Sequence, residues 1–132
     1  MAFDGEICIK LLLDSETDPA DRLAAAESLM HYPKSQACDA LFTVTMDEGE
    51  EEWLREEAAG SLGSLWCEMG IDYKRLFRLP KHYLIEAVQD FQHHGLKIDL
   101  GRIESGREEF TSLCKGDRFL ESLIEPATPT ST

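Results

Sequence analysis

Apolar positions along the chain fall into short blocks at helical spacing, separated by proline, glycine and acidic breaks. The first block, Ile7, Ile9, Leu11, Leu12 and Leu13, predicts a helix over about Asp4–Leu13. Asp18-Pro19 then sets a capping residue before proline at the first helical position, where its missing N–H is not needed. The helix that follows runs to about His31 and carries Leu23, Ala24, Ala25, Ala26, Leu29 and Met30, with Pro33 as its stop. Ser35 is the expected cap of a helix to about Met46, with Ala37, Cys38, Leu41, Phe42 and Val44 facing inward. The clearest stripe comes next. Leu54, Ala58, Leu62, Leu65, Trp66 and Met69 recur with the period of an α-helix, predicting a helix over about Glu50–Met69 that Gly70 ends.

The second half is more broken. A short helix is expected over about Asp72–Leu79, and Pro80 opens another to about His94, closed by Gly95. Gly95, Gly101 and Gly106 flank Leu96–Leu100, a segment compatible with a short strand, a turn of helix or a loop. A last helix is predicted over about Arg107–Ile124, interrupted near Gly116. Residues 125–132 are polar with two prolines and read as a disordered tail. No sheet of any size is indicated. The expectation is one all-α domain over residues 1–124, built of six or seven helices.

The chain also repeats itself. Arg22-Leu-Ala-Ala-Ala-Glu-Ser-Leu29 matches Arg55-Glu-Glu-Ala-Ala-Gly-Ser-Leu62 without a gap, with arginine, two alanines, serine and leucine coinciding. Ala40-Leu41-Phe42 answers Arg75-Leu76-Phe77 at a slightly longer offset. Paired alanines suit stacked helices, which need small side chains where their backbones approach most closely. The segment Asp18–Trp66, with its R-x-x-A-A-x-x-L core seen twice, resembles the short HEAT-like repeats named after phycobilisome lyases. The resemblance implies a compact α-solenoid of HEAT-like helical hairpins, with degenerate or capping units on either side. It implies little about function, because such repeats serve as scaffolds, adaptors and inhibitors as well as lyase-type subunits.

Charge changes the picture most. Over 132 residues, 26 acids face 13 Lys and Arg, a formal net charge of -13, and the first half holds 15 acids against 4 bases. Nucleic acid and anionic membranes are poor partners for such a chain, since each phosphate contact wants a cation. A basic protein is a better one. No stretch has the roughly 18 apolar residues of a membrane-spanning helix, Asp4 and Glu6 sit where a signal peptide would be basic, and the four cysteines form no C-x-x-C pair. A cytoplasmic protein with reduced thiols and no cofactor is expected.

Candidate chemistry is sparse. His93 and His94 are adjacent, so on a helix they point about 100° apart and do not easily face one ion; no His-x3-His or Glu-x2-His partner lies nearby, Asp90 is the one carboxylate at helical spacing, and no metal is expected. A nucleophile pair of Cys67 or Cys114 with His82 has nothing in the sequence to bring it together. Phosphate-binding and serine-hydrolase motifs are missing from the sequence. The acidic run stands out. Seven of the eleven residues from Asp47 to Glu57 are acids: Asp47, Glu48, Glu50, Glu51, Glu52, Glu56 and Glu57. Trp53 lies among them, about 160° around the helix from the apolar stripe, on the face of Gly60, Ser64 and Cys67. An indole ringed by carboxylates is a candidate contact patch; burial under neighbouring helices is the alternative. A basic cluster, Lys74, Arg75, Arg78, Lys81 and His82, offers an internal mate for the run or a second contact. The expected function is non-catalytic protein binding, in its most concrete form a small cytosolic inhibitor similar to immunity proteins, set against a basic toxin. The alternatives are a lyase or lyase-chaperone subunit, or a general adaptor.

Overall fold

A computed structural model describes residues 4–125, and these are all helical in class: eight α-helices, one 3-10 turn and a single isolated β-bridge. The helices are α1 (Gly5–Leu13), α2 (Pro19–Leu29), α3 (Ser35–Met46), α4 (Glu52–Met69), α5 (Tyr73–Leu76), α6 (Lys81–Ala87), α7 (Arg107–Cys114) and α8 (Arg118–Leu123). Buried side chains from Cys8 to Leu123 form one hydrophobic cluster, with Leu12, Leu29, Leu41, Leu62, Leu65, Leu84 and Phe91 at 0 % exposure.

The match between Arg22–Leu29 and Arg55–Leu62 has a structural counterpart. α1 and α2 form one antiparallel hairpin, α3 and α4 the next, and the two turns are made alike. Asp14 ends α1, and its Oδ1 accepts from the Glu16 N–H at 2.9 Å; Asp47 ends α3, and its Oδ1 accepts from the Gly49 N–H at 2.9 Å. The paired arginines have matching tasks as well. Arg22 Nε donates to the Leu12 carbonyl at 3.0 Å, and Arg55 Nε donates to the Thr45 carbonyl at 2.9 Å. In each hairpin the arginine satisfies a carbonyl of the preceding helix's last turn, which lacks an intrahelical donor.

Neighbouring hairpins pack with like helices side by side, α1 against α3, α2 against α4, and α6 beyond α4. α4 and α6 run parallel in constant register: Glu56 meets His82, Gly60 meets the Glu86 carbonyl, and Ser64 meets Asp90. Gly63 is the closest point. A Cβ there would overlap the backbone carbonyl of Ala87, so glycine is what lets these helices touch.

Several boundaries differ from expectation. α3 is capped at Lys34 rather than Ser35, and Ser35 opens the helix. α4 begins at Glu52 rather than Glu50, because the Asp47 turn occupies the chain as far as Glu50. The helix expected to reach His94 ends at Ala87. Beyond it the Phe91 N–H bonds to the Val88 carbonyl three residues back (3.1 Å) and the His94 N–H is shared between the Asp90 and Phe91 carbonyls (3.1 and 3.2 Å), with Val88 and Phe91 both buried. Gly95, at φ 65°, still closes it, and the Leu96 N–H returns to the Phe91 carbonyl at 2.8 Å. The last predicted helix is two, α7 and α8, broken at Gly116, which raises the count above six or seven.

The glycine-flanked segment forms no strand among the described residues; it is loop with one turn of 3-10 helix. Ile98 forms a parallel bridge to Ile124, and a 3-10 turn occupies Leu100–Arg102. Glu125 donates its N–H to the Ile98 carbonyl at 2.9 Å, so the first residue of the expected tail is held; 126–132 lie outside the described residues. Among the described residues no helix is long and apolar enough to cross a membrane.

Candidate functional site

The acidic run occupies the α3–α4 turn and the first two turns of α4, and its eight residues, Trp53 included, meet four kinds of surroundings. Asp47, Glu48, Glu51, Glu52 and Trp53 are exposed. Asp47 shapes the turn through Gly49, which leaves Glu48 at its tip. Glu51 is the N-cap residue of α4, with its backbone carbonyl accepting from Leu54 and Arg55, both at 3.1 Å, and its carboxylate in solvent beside the positive end of the helix. Trp53 is 39 % exposed, one of few large apolar side chains at the surface, so it does not lie buried beneath neighbouring helices.

Glu50 behaves differently. Its carboxylate forms a double contact with the Arg22 guanidinium, Oε1 to Nη1 at 3.0 Å, with the two side chains only 15 % and 8 % exposed. Arg22 is also committed to the Leu12 carbonyl through Nε and Nη2. Glu50 therefore joins the second hairpin to the first through its contact with Arg22. Glu57 faces the other way, between α2 and α6. Burial, then the charges of Glu27 and Glu86, push its carboxyl above the ordinary 4.5.

Glu52 and Glu56 are one turn apart on α4 and meet His82 at the start of α6. His82 Nε2 lies 2.6 Å from Glu56 Oε2 and 3.3 Å from Glu52 Oε1. Part of the basic cluster thus mates internally with the acidic run. The rest is dispersed: Arg75 pairs with Asp39 at 2.6 Å and Asp72 at 3.6 Å, and Arg75 and Arg78 lie over the Phe42 ring at 5.0 and 5.3 Å. Lys74, Arg78 and Arg102 line an open cleft of about 710 Å³ whose apolar wall is Ile71, Tyr73 and Phe77. The triad escaped sequence reading because its three donors share no local spacing: the acids sit at i, i+4, but His82 belongs to another helix, with all of α5 in between.

The thiol route has no support in the geometry. Burial and neighbouring acids push Cys67 and Cys114 up to about 11, so both are thiols at neutral pH, and His82 Nε2 is directed at glutamates. His93 and His94 are exposed with their rings perpendicular, 5.6 Å between centroids. Among the described residues Glu52, Glu56 and His82 alone bring three metal-type donors within 4.8 Å of one another. No family model, curated protein or solved structure matches the chain.

Proposed function

We propose that this chain is a non-catalytic protein-binding module of HEAT-like repeats, and that the corner made by Glu48, Glu51, Glu52 and Trp53 receives a basic protein. The hairpins of matching turn and arginine support the repeat reading. The observation that carries the binding reading is Trp53, partly out in solvent with exposed carboxylates on the turn before it. An indole at the surface is costly to leave in water and rewarding to cover, and the acids around it repel any partner that is not basic. The best-matched partner is a basic toxin neutralised in the cytoplasm, because a strong, one-signed field suits rapid capture of an oppositely charged target.

The test uses a basic partner captured by the whole chain and measured by stopped-flow association and by dissociation. Glu48→Lys with Glu51→Lys is the suitable reversal, since neither carboxylate is engaged in an ion pair among the described residues. Association should slow and its salt dependence flatten. Trp53→Ala should instead speed dissociation by an amount worth about 2 kcal/mol or more. Unchanged kinetics in both variants, with helicity intact, would remove this corner from the interface.

A further inference from the structure

We infer that Glu52, Glu56 and His82 form a binding site for a divalent transition metal of the zinc class, tying α4 to α6. The site shares Glu52 with the corner proposed for a basic protein, but Glu56 and His82 lie outside that corner, so metal titration and partner kinetics test the two separately. Imidazole nitrogen with two carboxylate oxygens is a donor set that zinc accepts, and a fourth position stays open to water. Donors bound to zinc at about 2.0–2.2 Å lie about 2.9–3.5 Å from one another at octahedral or tetrahedral angles. His82 Nε2 sits 2.6 and 3.3 Å from the two glutamate oxygens, and all three donor atoms lie within 4.8 Å of one another, so side-chain adjustment without backbone movement is what the site requires.

Two further features favour a cation here. Arg55 stands three residues after Glu52 on the same helix, a spacing that lets it pair with that carboxylate, yet it is directed elsewhere. Its Nε donates to the Thr45 carbonyl, and its guanidinium lies over the Tyr83 ring at 4.4 Å. Lys81, next to His82, forms no ion pair with either glutamate among the described residues. Both carboxylates therefore contact His82 and form no ion pair with a Lys or Arg among the described residues. The His82 ring also packs edge-on against Tyr83, centroids 5.0 Å apart, which restricts its rotation and keeps Nε2 toward α4. A neutral imidazole beside two carboxylates leaves a net charge of about -2, which a divalent ion cancels.

Isothermal titration of the whole chain with zinc chloride, followed by thermal melts with and without the metal, tests the site. The expected result is one saturable site and a raised melting midpoint, since a ligand bound to the folded state alone stabilises it. His82→Ala should abolish both, and Glu56→Gln should weaken binding by about tenfold or more. His93→Ala with His94→Ala, and Cys67→Ser, should leave both intact. Magnesium at the same concentration should not substitute, because it prefers an all-oxygen shell. Binding that survives His82→Ala, or disappears with the other histidines or Cys67, would overturn the assignment, as would no saturable binding by the wild-type chain.

Discussion

At the scale of single residues, like acids in one run have unlike fates, decided by which neighbour each meets. Glu50 and Glu57 belong to the same stretch of chain. Glu50 finds Arg22, while Glu57 finds Glu27 and Glu86. The consequence for Glu57 has a definite sign. Its carboxyl titrates higher in the folded state than in the unfolded chain, so the folded state binds the proton more tightly. Its contribution is therefore least unfavourable at acid pH and worsens as pH rises from its ordinary 4.5 through the raised value. Glu57→Gln should raise stability to urea at pH 7, and the gain should shrink as pH falls toward 4. A gain that is constant with pH would place the effect in packing rather than charge. The sequence marks all seven acids equally, because composition and spacing carry no information about the facing helix. The angle of Trp53 to the apolar stripe already turned it away from the core. The commitment of Glu50 to Arg22, on a different hairpin, left no such trace.

At the scale of elements, the repeat was legible and its physical reason was hidden. Arg22 and Arg55 could be aligned by eye, but their task, giving a donor to the last turn of the preceding helix, shows only once both hairpins are folded. The sequence also matches α3 with α5, a helix of four residues, while the structure gives α1–α2 and α3–α4 like turns and like arginine contacts. Alanine and leucine stripes fix which face is buried, yet neither records which helix ends first. Gly63 illustrates what a stripe omits. Within α4 it reads as a weakness, since glycine costs about 1 kcal/mol relative to alanine in a helix interior. In the structure it is where α4 and α6 touch, and a Cβ would collide with backbone, which cannot rotate aside. Gly63→Ala should lower stability by about 1–3 kcal/mol in spite of the gain in helix propensity. Gly60→Ala is the control, because a Cβ there meets the Glu86 carbonyl at a comfortable 3.9 Å, and it should stabilise slightly. Equal effects of the two changes in urea melts would show that the helices are not in close contact at Gly63.

At the scale of the whole molecule, one sign of charge governs. The chain carries 26 acids against 13 Lys and Arg, and of the Lys and Arg only Arg22 and Arg75 form ion pairs among the described residues. The first two hairpins hold most of the imbalance, so folding gathers a field that the extended chain would spread over a far greater volume. Such self-repulsion opposes the compact state, and added salt weakens it by shortening the Debye length from about 30 Å at 0.01 M to about 10 Å at 0.1 M. The attractions that salt also weakens are fewer, and the Arg22–Glu50 contact is shielded from solvent. The thermal midpoint should therefore rise as sodium chloride is raised from about 0.01 to 0.1 M, a range too dilute for appreciable salting-out. A midpoint that fell would mean that the scattered ion pairs outweigh the net charge. It would also weaken the argument that the acidic corner sits in a field strong enough to steer a basic partner, because the same uncompensated charge must produce both effects.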